Sequence, residues 1–469
     1  MAPSPSPPGP PRGLRWRNLS AFRRDTLGFL GRMAHDYGDI VHLRIGPQHF
    51  YLLNHPEHIR DVLVTRQRNF VKAPKFMRGN GHQGSPRTTL LRLLLGEGLL
   101  TSEGDVHRHH RRLAQPAFHP HNLAAYGAVM TDVAARAQGR WRDGEVLDIE
   151  GEMKRLTLTI VGKTLFGADL ESEAEELSQA FSAILAVQDR ITMPVAPWLQ
   201  KLPLPPIRRF QRALGRLHAT FSRLVAERRA GTLERHDLLS LLLARDAEGD
   251  TAGLSDAQVQ DHLRTFFLTG YFTTASALTW TWYLLAQHPE AEVEFHAELD
   301  AVLGGRLPTA DDLKGLPYTQ MVFAEALRLY PPVWLIPRWT LAEYEVGGYL
   351  IPADAAILIS PYVIQHDPRY FPDPFRFDPQ RWVPAAKGQR PQFAYCPFGG
   401  GPRQCIGEGF AWTEGVLLIA TLAQQWRLRL FPGHPVEVQP RRATALQPRY
   451  GMRMIVERRT SASVPQGNG

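Results

Sequence analysis

The sequence predicts a mostly α-helical protein with a minor β portion in the C-terminal half of the chain. Two observations lead to this prediction: helical patterns follow one another over residues 123–330, and strand and turn signals appear only after them. With 469 residues, 43% of them hydrophobic, the chain is long enough to bury a large core. Its length suggests about three domains, although no linker rich in glycine and serine divides it.

Residues 1–18 are predicted to form a disordered, proline-rich tail. Six prolines stand among the first twelve residues, and the lack of an apolar run there argues against a signal peptide or a membrane anchor. The best apolar run of the chain, residues 277–286, is about half as long as the ~20 residues that a transmembrane helix needs. We therefore expect a cytoplasmic protein whose folded part covers residues 19–469.

The charge and the cysteine count exclude several classes of function. The 54 basic and 46 acidic residues leave a net charge of +8, without a dense basic block or a recognisable nucleic-acid-binding motif. Two cysteines are too few for a disulfide-built scaffold or for a multi-cysteine zinc or iron–sulfur site. Any thiol chemistry therefore falls on Cys396 or Cys405.

Helices dominate the first two thirds of the predicted fold. The patterns cover residues 123–141, 151–166 and 207–229, with a proline-rich break before the last of them. The strongest helix signal follows at Ser255, because a serine with a glutamine three residues later is typical of a capping box. No proline interrupts this helix before Pro289, so it spans about 33 residues, or about 50 Å. Its centre is apolar on all sides, which predicts that it crosses the middle of the domain.

The chain changes character after residue 330. Residues 365–401 are rich in proline, aspartate and phenylalanine and predict a long irregular segment, which inside a compact domain tends to be functional. The other predicted elements are helices over residues 289–303 and 318–330, a hairpin turn over 345–349, a strand over 355–359 and a final helix over about 406–425.

A glycine-rich loop runs from Phe398 to Gly407 and leads into the final helix, with Cys405 at the helix entrance. Amide groups at a helix N-terminus stabilise a thiolate, which is a strong ligand for a soft metal ion. The glycines allow the backbone to approach a flat group. Two other interpretations stay open for the loop alone, a buried cysteine in a tight turn and a catalytic thiol. A phosphate-binding loop does not fit the spacing.

The same ten residues resemble the haem-ligand signature F-x-x-G-x-R-x-C-x-G of the cytochrome P450 family. Phe398, Gly401, Arg403, Cys405 and Gly407 occupy its fixed positions. The resemblance implies that Cys405 is the axial thiolate ligand of the iron in haem b, which favours cleavage of the O–O bond. It also implies that Phe398 covers the sulfur and that Arg403 pairs with a haem propionate.

The resemblance covers about residues 30–455 and implies one large cytochrome P450 domain rather than three domains. Haem is then expected between the long central helix and the cysteine loop with its helix. Glu325 and Arg328, three residues apart, resemble the E-x-x-R pair of the family, and Arg381 resembles the third member of its buried network. Alone, such a pair is usually a surface ion pair of little consequence; within the family the three residues are structural.

The centre of the long helix resembles the family's oxygen-binding segment. Gly270 would leave room for dioxygen, and Thr273 would hydrogen-bond the bound oxygen and relay protons. Taken alone, such threonines more often bond back to their own helix. Phe272 stands where the family has an acid, so the route of proton delivery stays open.

Three further residues resemble the family's partners of the haem propionates. Arg111 matches the arginine of W-x-x-x-R, and His107 replaces the tryptophan as an N–H donor. Arg338 matches the other propionate arginine. A metal pair of His107 and His110 is disfavoured beside three arginines, since the ligand form of imidazole is neutral.

The resemblance implies a monooxygenase that inserts one oxygen atom of dioxygen into a substrate. It also implies electrons that come from NAD(P)H through a separate ferredoxin and its reductase. Five basic residues are candidates for a face that binds an acidic donor, although scattered solvated arginines explain them equally well: Arg111, Arg112, Lys387, Arg390 and Arg403.

The expected substrate is a lipophilic terpenoid, carotenoid or fatty acid, because several stretches resemble bacterial members of the family that oxidise carotenoids and terpenes. The residues predicted to line an apolar pocket are Phe266, Phe267, Tyr271, Phe272, Trp334, Leu335 and Ile336. Three alternatives remain: a haem-thiolate isomerase or dehydratase that needs no reductase, a peroxide-driven peroxygenase, and a non-enzymatic haem- or ligand-binding protein.

Overall fold

A computed structural model describes residues 6–11, 15–45, 48–72, 94–190, 205–231, 237–244, 254–440 and 445–459. Helices make up most of this part of the chain, which confirms the predicted fold class. In chain order they are α1 (Arg15–Arg24), α2 (Thr26–Tyr37), α3 (Pro56–Arg60), α4 (Gly104–Ala114), α5 (Pro120–Gln138), α6 (Ile149–Leu165), α7 (Ala174–Arg190), α8 (Pro205–Ala230), α9 (Leu238–Leu243), α10 (Asp256–Gln287), α11 (Pro289–Leu303), α12 (Pro317–Leu329), α13 (Pro361–Gln365), α14 (Pro384–Lys387) and α15 (Glu408–Ala423).

The described strands form four small sheets. Their bounds are β1 (Ile40–Ile45), β2 (Gln48–Leu53), β3 (Phe70–Val71), β4 (Val146–Asp148), β5 (Ile336–Thr340), β6 (Tyr344–Val346), β7 (Tyr349–Ile351), β8 (Ala356–Ile359), β9 (Trp426–Leu430), β10 (Val438–Pro440), β11 (Leu446–Pro448) and β12 (Arg453–Arg458). The largest sheet has the order β1-β2-β8-β5-β3 and is antiparallel except for the parallel pair β2–β8. It joins the strands at residues 40–71 with strands at residues 336–359, so these distant parts of the chain belong to one structural unit. The predicted hairpin is the pair β6–β7.

Helix α10 is the predicted long central helix. The Ser255 hydroxyl accepts a hydrogen bond from the Gln258 amide, and the Gln258 side chain accepts one from the Ser255 amide at 3.0 Å, so the capping box is present. The helix has 32 residues and ends where α11 begins at Pro289. Most of its central side chains are buried, and it packs against α6, α8, α12 and α15. It therefore crosses the middle of the domain, as its apolar centre predicts.

The predicted disordered tail over residues 1–18 differs from the structure in its described part. Pro7 is buried, and the Pro8 carbonyl accepts a hydrogen bond of 2.8 Å from the His42 amide of β1. Proline lacks an N–H group but keeps its carbonyl acceptor, so it can lie along an edge strand. Helix α1 already begins at Arg15. Part of the predicted proline-rich break before α8 lies outside the described residues. No helix among the described residues is long and apolar enough to cross a membrane.

Candidate functional site

The cysteine loop is a tight turn closed by its own backbone. The Cys405 amide donates a hydrogen bond of 3.0 Å to the Phe398 carbonyl, and the Gln404 amide donates one of 2.9 Å to the Gly401 carbonyl. Gly401 has a φ of +66°, and a Cβ there would stand 2.0 Å from the Leu63 carbonyl oxygen. Glycine is therefore required at this position, both for the left-handed backbone and for the close approach.

The Cys405 thiol is accessible, yet protein atoms surround it closely. Burial raises the pKa of this thiol to about 11, and the Gly407 amide, which bonds to it from the start of α15, lowers the pKa by less. The predicted helix-end stabilisation is present but smaller than the effect of burial. A coordinating metal ion deprotonates such a thiol. Cys396, by contrast, is buried in an apolar cluster with a pKa near 12.

Five basic side chains meet beside this loop and form what we call the basic cluster: Lys72, His107, Arg111, Arg338 and Arg403. Burial is the main reason that their pKa values are lowered, and the positive charge of Arg403 lowers the pKa of Lys72, His107 and Arg338 further. The pKa is about 7 for Lys72, about 3 for His107 and about 10 for Arg338. His107 is therefore neutral and keeps an N–H donor.

Glu103 supplies a carboxylate to the basic cluster. It accepts a hydrogen bond of 2.7 Å from the Lys72 amide and forms an ion pair with Arg403. The Nη1 atom of Arg403 is buried without a hydrogen-bond partner among the described residues. The Arg111 guanidinium donates to the Gln404 carbonyl at 2.8 Å, which ties α4 to the cysteine loop. One carboxylate does not balance this many buried basic groups, so the cluster suits an additional anion with several carboxylate oxygens.

Four members of the basic cluster are predicted from the sequence, whereas Lys72 and the neighbouring Glu103 are not. Lys72 follows β3, Glu103 precedes α4, and Arg403 lies 300 positions after Glu103. Residues that lie so far apart in the sequence form no local pattern. The chain has few lysines, and Lys72 stands directly after the apolar pair Phe70–Val71. That is the signal in the sequence that marks Lys72.

The face of α10 that turns toward the cysteine loop is identified by partial exposure. In an otherwise buried stretch of this helix, Thr269, Gly270 and Thr273 are half-buried. Phe266 lies on the same helical face and stacks on Phe118 at a ring separation of 5.8 Å. A Cβ on Gly407 would stand 3.6 Å from the Phe118 ring, so this ring bridges α10 and the cysteine loop.

The two residues predicted to act on dioxygen are held by local contacts. The Thr273 hydroxyl donates a hydrogen bond of 2.8 Å to the Thr269 carbonyl, the self-bonded state expected of a threonine in a helix. Its oxygen retains lone pairs that can accept a hydrogen bond. A Cβ on Gly270 would stand 3.0 Å from Val161 of α6. Gly270 therefore allows the close packing of α10 on α6, and its expected role in leaving room for dioxygen stays a prediction.

The structure separates three of the predicted pocket residues from this face of α10. The Tyr271 ring is fully buried and lies 5.7 Å from Phe181, and the Phe267 ring lies 4.5 Å from Phe166. Phe272, 2% exposed, lies beneath the Lys154 ammonium, which is 5.3 Å from its ring centroid. These side chains point about 100–150° away from the half-exposed face, because successive residues of an α-helix are rotated by about 100°.

The other predicted pocket residues lie before and on β5. Trp334 is buried, and Leu335 packs beside it, in a cluster formed with the N-terminal helices. Ile336 is half-buried, and its Cδ1 atom would stand 3.8 Å from a Cβ on Gly399. Of the predicted apolar residues, Phe266 and Ile336 are thus the ones that the structure brings toward the loop.

The three predicted network residues meet in the interior, where Glu325 and Arg328 are fully buried and the side chain of Arg381 is 10% exposed. Arg328 donates two hydrogen bonds to the Glu325 carboxylate, at 2.7 and 2.8 Å, and its remaining donors bond to backbone carbonyls of the irregular segment. The Arg381 Nε atom lies 3.3 Å from Glu325, and the Trp382 indole donates to the same carboxylate at 2.9 Å. The network therefore holds the irregular segment on α12.

The residues present fit a haem. The loop offers an accessible thiol, the basic cluster offers donors for two propionates, and glycines allow close approach of the backbone. A soft sulfur ligand lies beside positive charges that nearby carboxylates do not balance. This combination suits an iron porphyrin, which carries two carboxylates.

Comparisons with known proteins identify the family of the chain. The Cytochrome P450 family model matches residues 7–455. The chain is 39% identical to Cyclooctatin synthase of Streptomyces melanosporofaciens, covering 93% of this chain and 92% of the relative. It is 40% identical to Cyclooctat-9-en-7-ol 5-monooxygenase of the same organism, covering 88% and 87%.

A solved structure shares the fold over nearly the full length. The cyanobacterial CYP120A1 with bound retinoic acid superposes with a TM-score of 0.83 at 26% identity, covering 97% of this chain and 99% of that structure. Pentalenene oxygenase of Streptomyces avermitilis is 36% identical over 93% of both chains. The chain therefore belongs to the cytochrome P450 family and is an oxidoreductase of that family.

Proposed function

We propose that this cytochrome P450 inserts one oxygen atom of dioxygen into a C–H or C=C bond of a lipophilic, terpenoid-like substrate. The electrons come from NAD(P)H through a separate ferredoxin and its reductase. The observation that carries the proposal is the accessible Cys405 thiol beside the basic cluster, in a loop that Phe118 connects to the half-exposed side of α10. When bound, the haem supplies the oxidation chemistry, and the thiolate favours O–O cleavage.

The chain's own residues hold the haem at two places. Cys405 supplies the sulfur ligand, and the basic cluster pairs with the propionates through charge-assisted hydrogen bonds. Arg403 and Arg338 offer guanidinium donors, and neutral His107 offers an imidazole N–H. The glycines at 399 and 401, both with positive φ, allow the tight turn of the loop that would carry the sulfur ligand.

We expect Lys72→Met to accelerate haem loss by about tenfold or more. A hydrogen bond between charged groups contributes about 1.5–3 kcal/mol, and bound propionates would favour the charged form of Lys72. The Lys72 ammonium donates a hydrogen bond of 3.0 Å to the Leu100 carbonyl and has further donors for a propionate. Transfer of haem to apomyoglobin measures the rate. Lys163→Met is the matched control, because the ammonium of Lys163, a residue of α6, pairs with Asp169 at 2.9 Å. An unchanged rate of haem loss in Lys72→Met would contradict a role of this residue in haem binding.

We expect Thr273→Ala to raise the share of electrons that end in hydrogen peroxide, whereas Thr273→Ser should behave like the wild-type protein. The hydroxyl stands on the half-exposed face of α10 and can accept or donate a hydrogen bond there. Its loss leaves proton delivery less directed. Peroxide and product are measured together per NAD(P)H consumed, and equal coupling in all three proteins would refute this role.

A cyclic terpenoid is the favoured substrate class. The names of two relatives contain cyclooctat-9-en-7-ol and pentalenene, a cyclic alkenol and an alkene of low polarity. The described wall offers Phe266, Phe118 and Ile336, which suit an apolar molecule. Shifts of the haem absorption on titration with cyclic terpenoids, carotenoids, fatty acids and polar compounds test the class. Tight binding of polar compounds alone would contradict it.

The proposed face for the electron donor is smaller than the sequence predicts. The Arg403 side chain is 14% exposed and pairs with Glu103, and the Arg390 guanidinium stacks on Trp382 at 4.8 Å. The side chain of Lys387 lies outside the described residues. Two candidates remain for this face: Arg111, half-buried and bonded to the cysteine loop, and exposed Arg112.

Electron-dependent turnover with ferredoxin, reductase and NAD(P)H tests the proposed function. Product from peroxide alone, or without any reductant, would favour a peroxygenase or an isomerase.

A further inference from the structure

Phe272 departs from the family pattern, and the proposed function does not explain it. It stands where the family has an acid, and its side chain is 2% exposed. The Lys154 ammonium of α6 lies 5.3 Å from the ring centroid and pairs with the Glu150 carboxylate at 2.6 Å. A cation over the face of an aromatic ring is attracted by the ring electrons, more strongly where water is excluded. The Phe272 ring is therefore held on α6 by Lys154.

Two further residues of α6 contact α10 beside this ring. The Thr157 hydroxyl is 0% exposed and lies 2.9 Å from the Tyr271 carbonyl oxygen of α10. It also lies 2.9 Å from the Met153 carbonyl oxygen of its own helix, so its single proton is shared between the two helices. Val161 packs against Gly270, where a Cβ would stand 3.0 Å from the Val161 side chain.

Lys154, Thr157 and Val161 form what we call the α6 clamp. Their spacing of three and four residues brings them to one face of α6. Between them they contact three consecutive positions of α10: 272, 271 and 270. The next residue, Thr273, stands on the half-exposed face that we assign to the site. The clamp therefore holds α10 directly beside Thr273.

The sequence of α10 does not by itself fix the rotation of the helix about its axis. Its centre is buried and apolar on all sides, and the burial of apolar surface has no preferred direction. A rotation by one residue, about 100°, would bring Phe272 or Thr274 to the place of Thr273. A hydrogen bond and a cation over a ring both depend on direction, so they favour one rotation over the others.

We propose that the α6 clamp fixes the rotation of α10 and thereby aims the Thr273 hydroxyl at the site. Position 272 carries an aromatic ring because this ring attaches α10 to Lys154. The inference rests on the proposed monooxygenase function, which assigns the role of Thr273. Lys154, Thr157 and Phe272 are positioning residues that act through Thr273.

Hydrogen exchange of the holoenzyme, measured by mass spectrometry, tests the clamp without turnover. We expect Lys154→Met and Thr157→Val to speed the exchange of the amides of residues 270–276 several-fold, because α10 opens more readily where α6 no longer holds it. If Lys154→Met does not fold, Thr157→Val decides, since valine matches threonine in shape. Exchange at the wild-type rate in these variants would overturn the proposal.

Two residues of the same helix provide matched controls. The Thr159 hydroxyl donates a hydrogen bond of 2.9 Å to the Arg155 carbonyl of its own helix, and Lys163 pairs with Asp169 at 2.9 Å. Thr159→Val and Lys163→Met therefore make the same chemical changes on α6 and leave the clamp in place. Both should exchange as the wild-type protein does. Equally fast exchange in the control and clamp variants would show a general sensitivity of α6 and contradict a specific clamp.

The share of electrons that end in hydrogen peroxide tests what the clamp does for Thr273. Substrate oxidation and peroxide release each consume two electrons and two protons per dioxygen, so peroxide per NAD(P)H reports misdirected turnover. We expect Lys154→Met and Thr157→Val to raise this ratio several-fold at an unchanged KM, with Lys154→Arg and Thr157→Ser close to the wild type. Loss of folded protein alone would lower the yield of holoenzyme and leave the ratio unchanged.

A double variant tests whether Lys154 and Phe272 act through one contact. Phe272→Leu leaves the ion pair of Lys154 with Glu150 in place and should raise the peroxide ratio as Lys154→Met does. Combining the two changes should add little, because one contact is lost only once. Additive effects, or wild-type coupling in all clamp variants, would overturn the proposal and leave the monooxygenase intact. A wild-type protein without electron-dependent product contradicts the proposed function instead, and hydrogen exchange then decides whether the clamp holds α10.

Discussion

Cys405→Ser is expected to abolish monooxygenase turnover and the red-shifted absorption of the reduced carbon monoxide complex that is typical of thiolate-ligated haem. A serine hydroxyl keeps the size of the thiol but is a poor ligand for iron. The basic cluster is untouched in this variant, so the protein should still bind haem, though more weakly. Absorption spectra of the reduced carbon monoxide complex and turnover with ferredoxin and reductase measure the two effects.

Cys396→Ser is the matched control for this prediction. Cys396 is the other cysteine of the chain and is buried beside the five-stranded sheet. Its amide, not its thiol, bonds to the Gln365 side chain at 3.2 Å. The control should keep the thiolate spectrum and lose at most some stability. A thiolate spectrum that survives in Cys405→Ser and disappears in Cys396→Ser would reverse the assignment of the two cysteines.

Arg328→Met is expected to destabilise the fold by about 3–5 kcal/mol, the usual cost of leaving one charge of a buried pair without its partner. The change takes from the Glu325 carboxylate, 0% exposed, the partner that gives it two hydrogen bonds, and it removes the donors that hold the irregular segment. Arg381 and Trp382 remain as partners of Glu325. Urea unfolding of the holoenzyme measures the loss. We expect a lower yield of haem-loaded protein for the same reason.

Two comparisons separate this effect from a general sensitivity to loss of arginine. Arg223→Met breaks an exposed ion pair with Glu173 and should change the free energy of unfolding by less than about 1 kcal/mol. The double variant Glu325→Gln with Arg328→Met should recover part of the loss, because the stranded charge is gone. A cost below about 1 kcal/mol for Arg328→Met alone would contradict a structural role of the network.

The sequence predicts best where a local pattern has one physical outcome. The side chains of Ser255 and Gln258 each accept a hydrogen bond from the backbone amide of the other residue, and the long helix begins there. The cysteine loop is similar, since Gly401 has a positive φ and no room for a Cβ. The spacing of Glu325 and Arg328 likewise places both charges on one face of α12.

Three of the predicted pocket residues lie on other sides of α10, because the direction of a side chain depends on the phase of its helix. Phe266 and Phe267 are neighbours in an apolar helix, and nothing local says which of them faces the site. Contacts with α6, α7 and α8 decide this, and they hold Phe267, Tyr271 and Phe272 on the other side of α10.

The basic cluster shows a second limit. Lys72, Glu103 and Arg403 meet only because the strand after α3, the start of α4 and the cysteine loop converge in the fold.

Turnover under isotopically labelled dioxygen tests the central claim most directly. The holoenzyme is supplied with ferredoxin, reductase, NAD(P)H and a cyclic terpenoid that shifts the haem spectrum, and the product is analysed by mass spectrometry. The monooxygenase predicts one labelled oxygen atom in each product molecule, formed only when electrons are supplied. A product that carries oxygen from water, or one that forms equally well without reductant, would contradict the assigned function.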